Sequence, residues 1–117
     1  LKGDKLIAIT KITTSEDFKR IKEANNQFLL FKNSTTCPIS AQAFEEFQKF
    51  SEGVSEDVYY LNVQESRPLS TEIADSYGVK HQSPQALVFN ENEVVWNDSH
   101  WRITNTSLSD AAKKYLK

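Results

Sequence analysis

Residues 27–40 read Gln-Phe-Leu-Leu-Phe-Lys-Asn-Ser-Thr-Thr-Cys-Pro-Ile-Ser. Phe28 to Phe31 are apolar on both faces of an extended chain, which is how a buried central strand reads. Asn33 to Thr36 form a polar turn. Pro38 suits the first helical position, because its missing N–H would be unpaired there in any case. Ile39, Ala43, Phe47 and Phe50 then recur at helical spacing and define one face. Glu45, Glu46 and Lys49 fall outside that stripe, and Gly53 marks its stop. Strand, turn, cysteine and amphipathic helix thus follow one another within one short stretch.

The same alternation continues on both sides. Leu6 to Thr10 is a short apolar run and reads as an edge strand. Thr13 and Glu16 match a capping box for a helix reaching about Ala24, with Phe18 and Ile21 inside and Asn25-Asn26 at its end. Val58 to Val63 is a further strand, with Tyr59 and Tyr60 on opposite faces. Arg67-Pro68 opens a third helix carrying Leu69, Ile73 and Tyr77, which stops at Gly78. Gln85 to Phe89 and Glu93 to Trp96 form a hairpin across Asn90-Glu91-Asn92. A last helix from about Thr106 buries Leu108, Ala112 and Tyr115 and leaves Lys113-Lys114 in solvent. The order β-α-β-α-β-α-β-β-α predicts an α/β fold, a mixed sheet of four to five strands flanked by helices on both faces.

Composition limits the function. A chain of 117 residues is expected to be a single domain, 1–117. Leu, Ile, Val and Phe make up about a quarter of it, and the net charge is −2, a balance unlike that of a disordered chain. The slightly acidic balance argues against nucleic acid, which selects basic surfaces. Apolar runs stop at four residues, far short of the ~20 that span a membrane. No signal peptide is visible, although Leu1 in place of Met leaves room for a trimmed start. Two histidines and one cysteine, widely spaced, make no zinc set. The three Asn-x-Ser/Thr triplets, at Asn33, Asn97 and Asn105, read as chance. A lone cysteine suits a reducing compartment, and the cytoplasm is the expected location.

Cys37 lies where open α/β sheets place their ligands, at the carboxyl end of a strand. It also precedes a helix N-terminus, whose partial positive charge and unpaired N–H groups favour a thiolate. The Ser40 hydroxyl, one turn on, is in reach to donate to the sulfur. An inert buried cysteine is the commoner fate of a single thiol. Here the turn, the Cys-Pro step and the helix together favour a reactive one.

These residues carry a resemblance. The element order resembles the thioredoxin fold, with Cys37-Pro38-Ile39-Ser40 where thioredoxins hold Cys-x-x-Cys. Ser83-Pro84 stands where that fold has its cis-proline. More narrowly, Ser34-Thr35-Thr36-Cys37-Pro38-Ile39-Ser40 resembles the active-site motif of YtxJ-type bacilliredoxins. Phe28 to Lys32, His81-Gln82-Ser83-Pro84-Gln85 and Ser99-His100-Trp101 are similar to the same family, and the likeness runs from about Ile9 onward.

The resemblance implies a monothiol oxidoreductase that removes bacillithiol from S-bacillithiolated proteins. Cys37 would be the nucleophile, and Ser40 would replace a resolving thiol, so no internal disulfide can form. The N–H groups around Ile39 and Ser40 would stabilise the sulfur anion. Thr36, Pro38, Ile39, Ser83 and Pro84 would border the substrate, with Ser83 offering its backbone to an extended chain. Bacillithiol enters as substrate or co-substrate, client proteins are the partners, and neither a bound cofactor nor a metal is implied. No acidic residue stands in the Phe28–Phe31 strand, where thioredoxins bury one, so thioredoxin-like reduction of protein disulfides is not expected. His81 is a candidate neighbour of the thiolate or a plain loop residue, and His100-Trp101 reads as packing or loop structure. Two other classes stay open: a non-catalytic thioredoxin-like module that only holds a partner, and an iron–sulfur carrier. The carrier would need a dimer and two outside thiols.

Overall fold

The computed structural model describes residues 9–54 and 56–116. Five strands make one sheet in the order β1-β3-β2-β4-β5. They are β1 (Ile9–Lys11), β2 (Gln27–Asn33), β3 (Val58–Asn62), β4 (Gln85–Asn90) and β5 (Glu93–Ser99). β1 and β2 flank β3 in parallel, while β4 runs antiparallel to β2 and β5 antiparallel to β4. The helices are α1 (Ser15–Ala24), α2 (Pro38–Glu52), α3 (Arg67–Tyr77) and α4 (Asn105–Tyr115). A mixed sheet with helices on both faces is therefore the architecture. The edge strand expected from Leu6 begins at Ile9, and the rest of that expectation lies outside the described residues.

Strand alternation splits the core into two layers. Phe28 and Leu30 of β2, Tyr59 and Leu61 of β3, and Leu87 and Phe89 of β4 pack under α1 and α3. Leu29 and Phe31, with Val58, Ala86 and Val88, pack under α2 and α4. Phe28 stacks on Phe89 at 4.7 Å, and Phe31 on Phe47 at 5.0 Å, so each layer is centred on an aromatic pair. β2 is covered on both faces, as its unbroken apolar run requires.

Four local expectations are corrected. The α1 cap is Thr14, not Thr13, and its partner is Asp17, not Glu16. The short Asp17 carboxylate reaches the N–H groups of both Thr13 and Thr14, at 2.9 and 3.2 Å. Those bonds, the Thr13 one foremost, hold its pKa below the usual value. Ile39 is half-buried rather than core, and Ser40 takes the inward place in the first turn of α2. Tyr115 is half-buried, with Ala111 filling the α4 core position beside Ala112. β5 runs three residues past Trp96, to Ser99.

Candidate active site

β2 and β3 end side by side, Asn33 opposite Asn62. The next residue after the β3 ladder, Val63, still donates to the Asn33 carbonyl at 2.8 Å. This brings Gln64 beside the turn that leads to the cysteine. Its side-chain oxygen accepts from the Thr35 N–H at 3.0 Å and the Thr35 hydroxyl at 3.2 Å. Its amide donates to Ser34 Oγ at 2.9 Å and Thr36 Oγ1 at 3.2 Å. One glutamine thus fastens three consecutive residues ahead of Cys37.

Cys37 is the N-cap of α2, with φ −109° and ψ 124°, and its carbonyl accepts the first helical bond from Ala41. It is half-buried and free. Its side chain makes no capping hydrogen bond. Ser40 is wholly buried, and its hydroxyl accepts from the Ser34 N–H at 3.1 Å. The bond has a simple cause. A buried backbone N–H in a tight turn needs an acceptor, and the hydroxyl supplies it.

The second flank is the entry to β4. Gln85 lies directly across from Lys32, so Ser83 and Pro84 sit at the end of the sheet where β2 leads to Cys37. The Ser83–Pro84 peptide is cis. Pro84 is buried, Ser83 half-buried, and the Pro84 carbonyl accepts from the His100 N–H at 3.1 Å. That bond joins the segment to the 3-10 turn His100–Arg102, which begins with His100 in the left-handed region at φ 56°. Trp101, in that turn, is 65% exposed. Of the two readings of His100-Trp101, packing or loop structure, the turn and this exposure favour the second. A groove of about 160 Å³ runs between Ile39 and Gln42 of α2 and His100 and Trp101 of the turn. Thr36 and Pro38 are exposed beside the cysteine. The backbone therefore gathers Thr36, Cys37, Pro38, Ile39, Ser83 and Pro84 at one end of the sheet, with Ser40 beneath.

A further cluster lies below Ser83. Lys32 is 0% exposed. Its ammonium donates to the Ser70 carbonyl at 3.1 Å and lies 3.4 Å from His81 Nδ1. Ser70 Oγ is 3.2 Å from the same ring nitrogen. Burial lowers the Lys32 pKa from 10.5 to about 8. Burial, then the charges of Lys32 and Arg67, lowers that of His81. An ammonium only donates, so Nδ1 accepts and the ring is neutral with its proton on Nε2. His81 thus faces Lys32. Among the described residues, no group of three or more His, Cys, Asp or Glu side chains could hold a metal ion.

Lys32, Gln64 and Ser70 escaped the sequence reading. Lys32 carried a signal: it shares its strand face with Leu30 and Phe28, two and four residues back. Gln64 and Ser70 carried none, because their partners are distant in the chain.

A thioredoxin-type sheet with one thiol at the head of α2, opposite a cis-proline, belongs to the thiol oxidoreductases. Comparison with known proteins agrees. The family model of the monothiol bacilliredoxin BrxC matches residues 10–108, and the chain belongs to that family. It is similar to a candidate oxidoreductase with a thioredoxin fold, at 42% identity and TM-score 0.84, over 89% of this chain and 93% of that one. A mutant thioredoxin from Halobacterium salinarum aligns at 17% identity and TM-score 0.77, over 95% and 93% of the two chains. A thioredoxin from Schistosoma mansoni aligns at 16% and 0.74, over 92% and 98%. The last two speak for the fold alone.

Proposed function

We propose that the chain removes bacillithiol from S-bacillithiolated proteins, using Cys37 as its only thiol. The observation that carries this reading is the placement of a single free, half-buried cysteine at the N-cap of α2, in a monothiol bacilliredoxin family member. The Cys37 thiolate attacks the bacillithiol sulfur of the mixed disulfide. The old S–S bond breaks, the client leaves as a thiolate that takes up a proton, and Cys37 carries the bacillithiol. A second bacillithiol thiolate then attacks that sulfur, giving bacillithiol disulfide and restoring Cys37. No electrons come from elsewhere, so the exchange itself needs no cofactor. Thr36, Pro38 and Ile39 border the sulfur, and Ser83 with Pro84 holds the client backbone. Ser40 keeps the turn in place and, lacking a thiol, leaves resolution to a second molecule. Absence of a disulfide partner in the sequence supports action in a reducing compartment, the cytoplasm. No helix among the described residues is long and apolar enough to cross a membrane.

The test mixes reduced protein with a bacillithiol-blocked client and, in parallel, a glutathione-blocked one, and follows intact mass. The expected result is a bacillithiol adduct on Cys37, release of client thiol, and faster transfer than from glutathione. Cys37→Ser forms no adduct. A wild-type protein that stays unmodified while the client stays blocked overturns the reading and favours a module that only holds its partner.

A further inference from the structure

We propose that Lys32 is a positioning residue for the client-binding segment. Its buried ammonium ties β2 and α3, through the Ser70 carbonyl and the His81 ring, to residues 80–83 ahead of the cis Ser83–Pro84 peptide. The role rests on the reading of Ser83–Pro84 as the surface that holds the client.

Three observations carry the inference. First, Lys32 lies wholly within the α1 and α3 layer, where its strand neighbours are Phe28 and Leu30. A lone cation there costs stability, and an apolar residue of similar length would serve the core as well or better. Second, none of the ion pairs among the described residues includes it. The groups around it are Ser70 from α3, His81 from the segment, neutral Gln85 across the β4 ladder and apolar Leu61 across β3; Arg67 of α3 acts on His81. Third, the segment has few other anchors. Gln85 Nε2 holds its start through the Lys80 carbonyl at 3.0 Å, and the His100 N–H holds the Pro84 carbonyl at its end. Lys32 and Ser70 grip the middle, at His81. The buried charge costs the fold stability and grips the segment that the proposed function assigns to the client. Loss of the proton at alkaline pH weakens the grip, because a charge-assisted hydrogen bond becomes a neutral one.

The test compares wild type, Lys32→Met and His81→Ala in the full chain. Hydrogen exchange is read at residues 80–83, KM and kcat for transfer from a bacillithiol-blocked protein, and the rate at which iodoacetamide alkylates Cys37. Both variants are expected to exchange about tenfold faster at 80–83 and to raise KM about tenfold, the scale of one hydrogen bond to a charged group. Alkylation stays at the wild-type rate. In wild type, the ratio of transfer rate to alkylation rate falls between pH 7 and pH 9 on either side of the Lys32 transition near 8. In Lys32→Met the ratio is flat. Unchanged exchange at 80–83 overturns the proposal, and so does slowed alkylation, which would place the lysine's effect on the thiol. If Lys32→Met fails to fold, His81→Ala, altered at an exposed side chain, and the wild-type pH series decide the matter. A wild type that transfers no bacillithiol, while exchange responds as stated, defeats the functional reading and leaves the tie standing.

Discussion

Lys32 shows how one residue can set a pH dependence for the whole fold. Its pKa is about 8 in the folded protein and 10.5 in the open chain. Between those values the unfolded state binds a proton that the folded state does not. Stability therefore rises with pH across that window, opposite to the loss expected of a lysine that gains an acidic partner. The full difference corresponds to about 3 kcal/mol, of which roughly half should appear by pH 9.5. Urea denaturation at pH 7.5 and pH 9.5 checks this. Wild type should gain stability relative to Lys32→Met, and Lys32→Met should be at least as stable as wild type at pH 7.5. A wild type that loses stability in step with the variant would show that the buried ammonium is not desolvated. The alternation Phe28, Leu30, Lys32 placed this side chain on an inward face. The sequence offered no way to see what it would meet there, because Ser70 and His81 are 38 and 49 residues away.

The two glycines that end α2 and α3 look alike in sequence and differ as elements. Gly78 caps α3 in the left-handed region at φ 65°, with no atom within 4 Å of an added Cβ. Gly53 caps α2 at φ −101°, a conformation open to any residue, and an added Cβ would meet the Phe50 carbonyl at an ordinary 3.7 Å. Gly78→Ala should therefore cost about 1–2 kcal/mol through backbone strain alone. Gly53→Ala should be neutral or stabilising by about 0.4–1 kcal/mol, through lower entropy of the unfolded chain. Chemical denaturation of the two variants separates the cases, and equal costs would refute the distinction. The existence of each helix was legible from its apolar stripe, since periodicity is a property of the segment itself. The α1 cap was not. Thr13, Thr14, Glu16 and Asp17 allow two capping registers one residue apart. The choice fell to the carboxylate able to serve two N–H groups at once.

At the scale of the molecule, the site is a meeting of three chain segments, each delivered by a different strand. β2 delivers Cys37, β4 begins just after Pro84, and β5 leads into His100 and Trp101. The first two were legible from local signals, Cys-Pro before an amphipathic stripe and Ser-Pro before a strand. The third was not, because exposure of Trp101 depends on where β5 ends, and β5 runs on to Ser99. The Trp101 indole, 65% exposed, lines a groove together with Ile39, which lies two residues after Cys37. On the proposed function, a bacillithiol or client chain attached to Cys37 would pass over this groove or over Ser83. If it passes over the groove, adduct formation removes water from the Trp101 face, and its emission moves to shorter wavelength. Trp96, half-buried on β5, lines a different cavity with Tyr115 and Lys114 and should report nothing. Trp101→Phe should abolish the spectral change and Trp96→Phe should keep it. Trp101→Ala should raise KM for transfer several-fold, since an aromatic contact adds about 0.5–1.5 kcal/mol beyond the area it covers. An adduct, verified by intact mass, that leaves the Trp101 emission unmoved would send the chain along Ser83 instead, and the β4 entry would then be the whole of the binding surface.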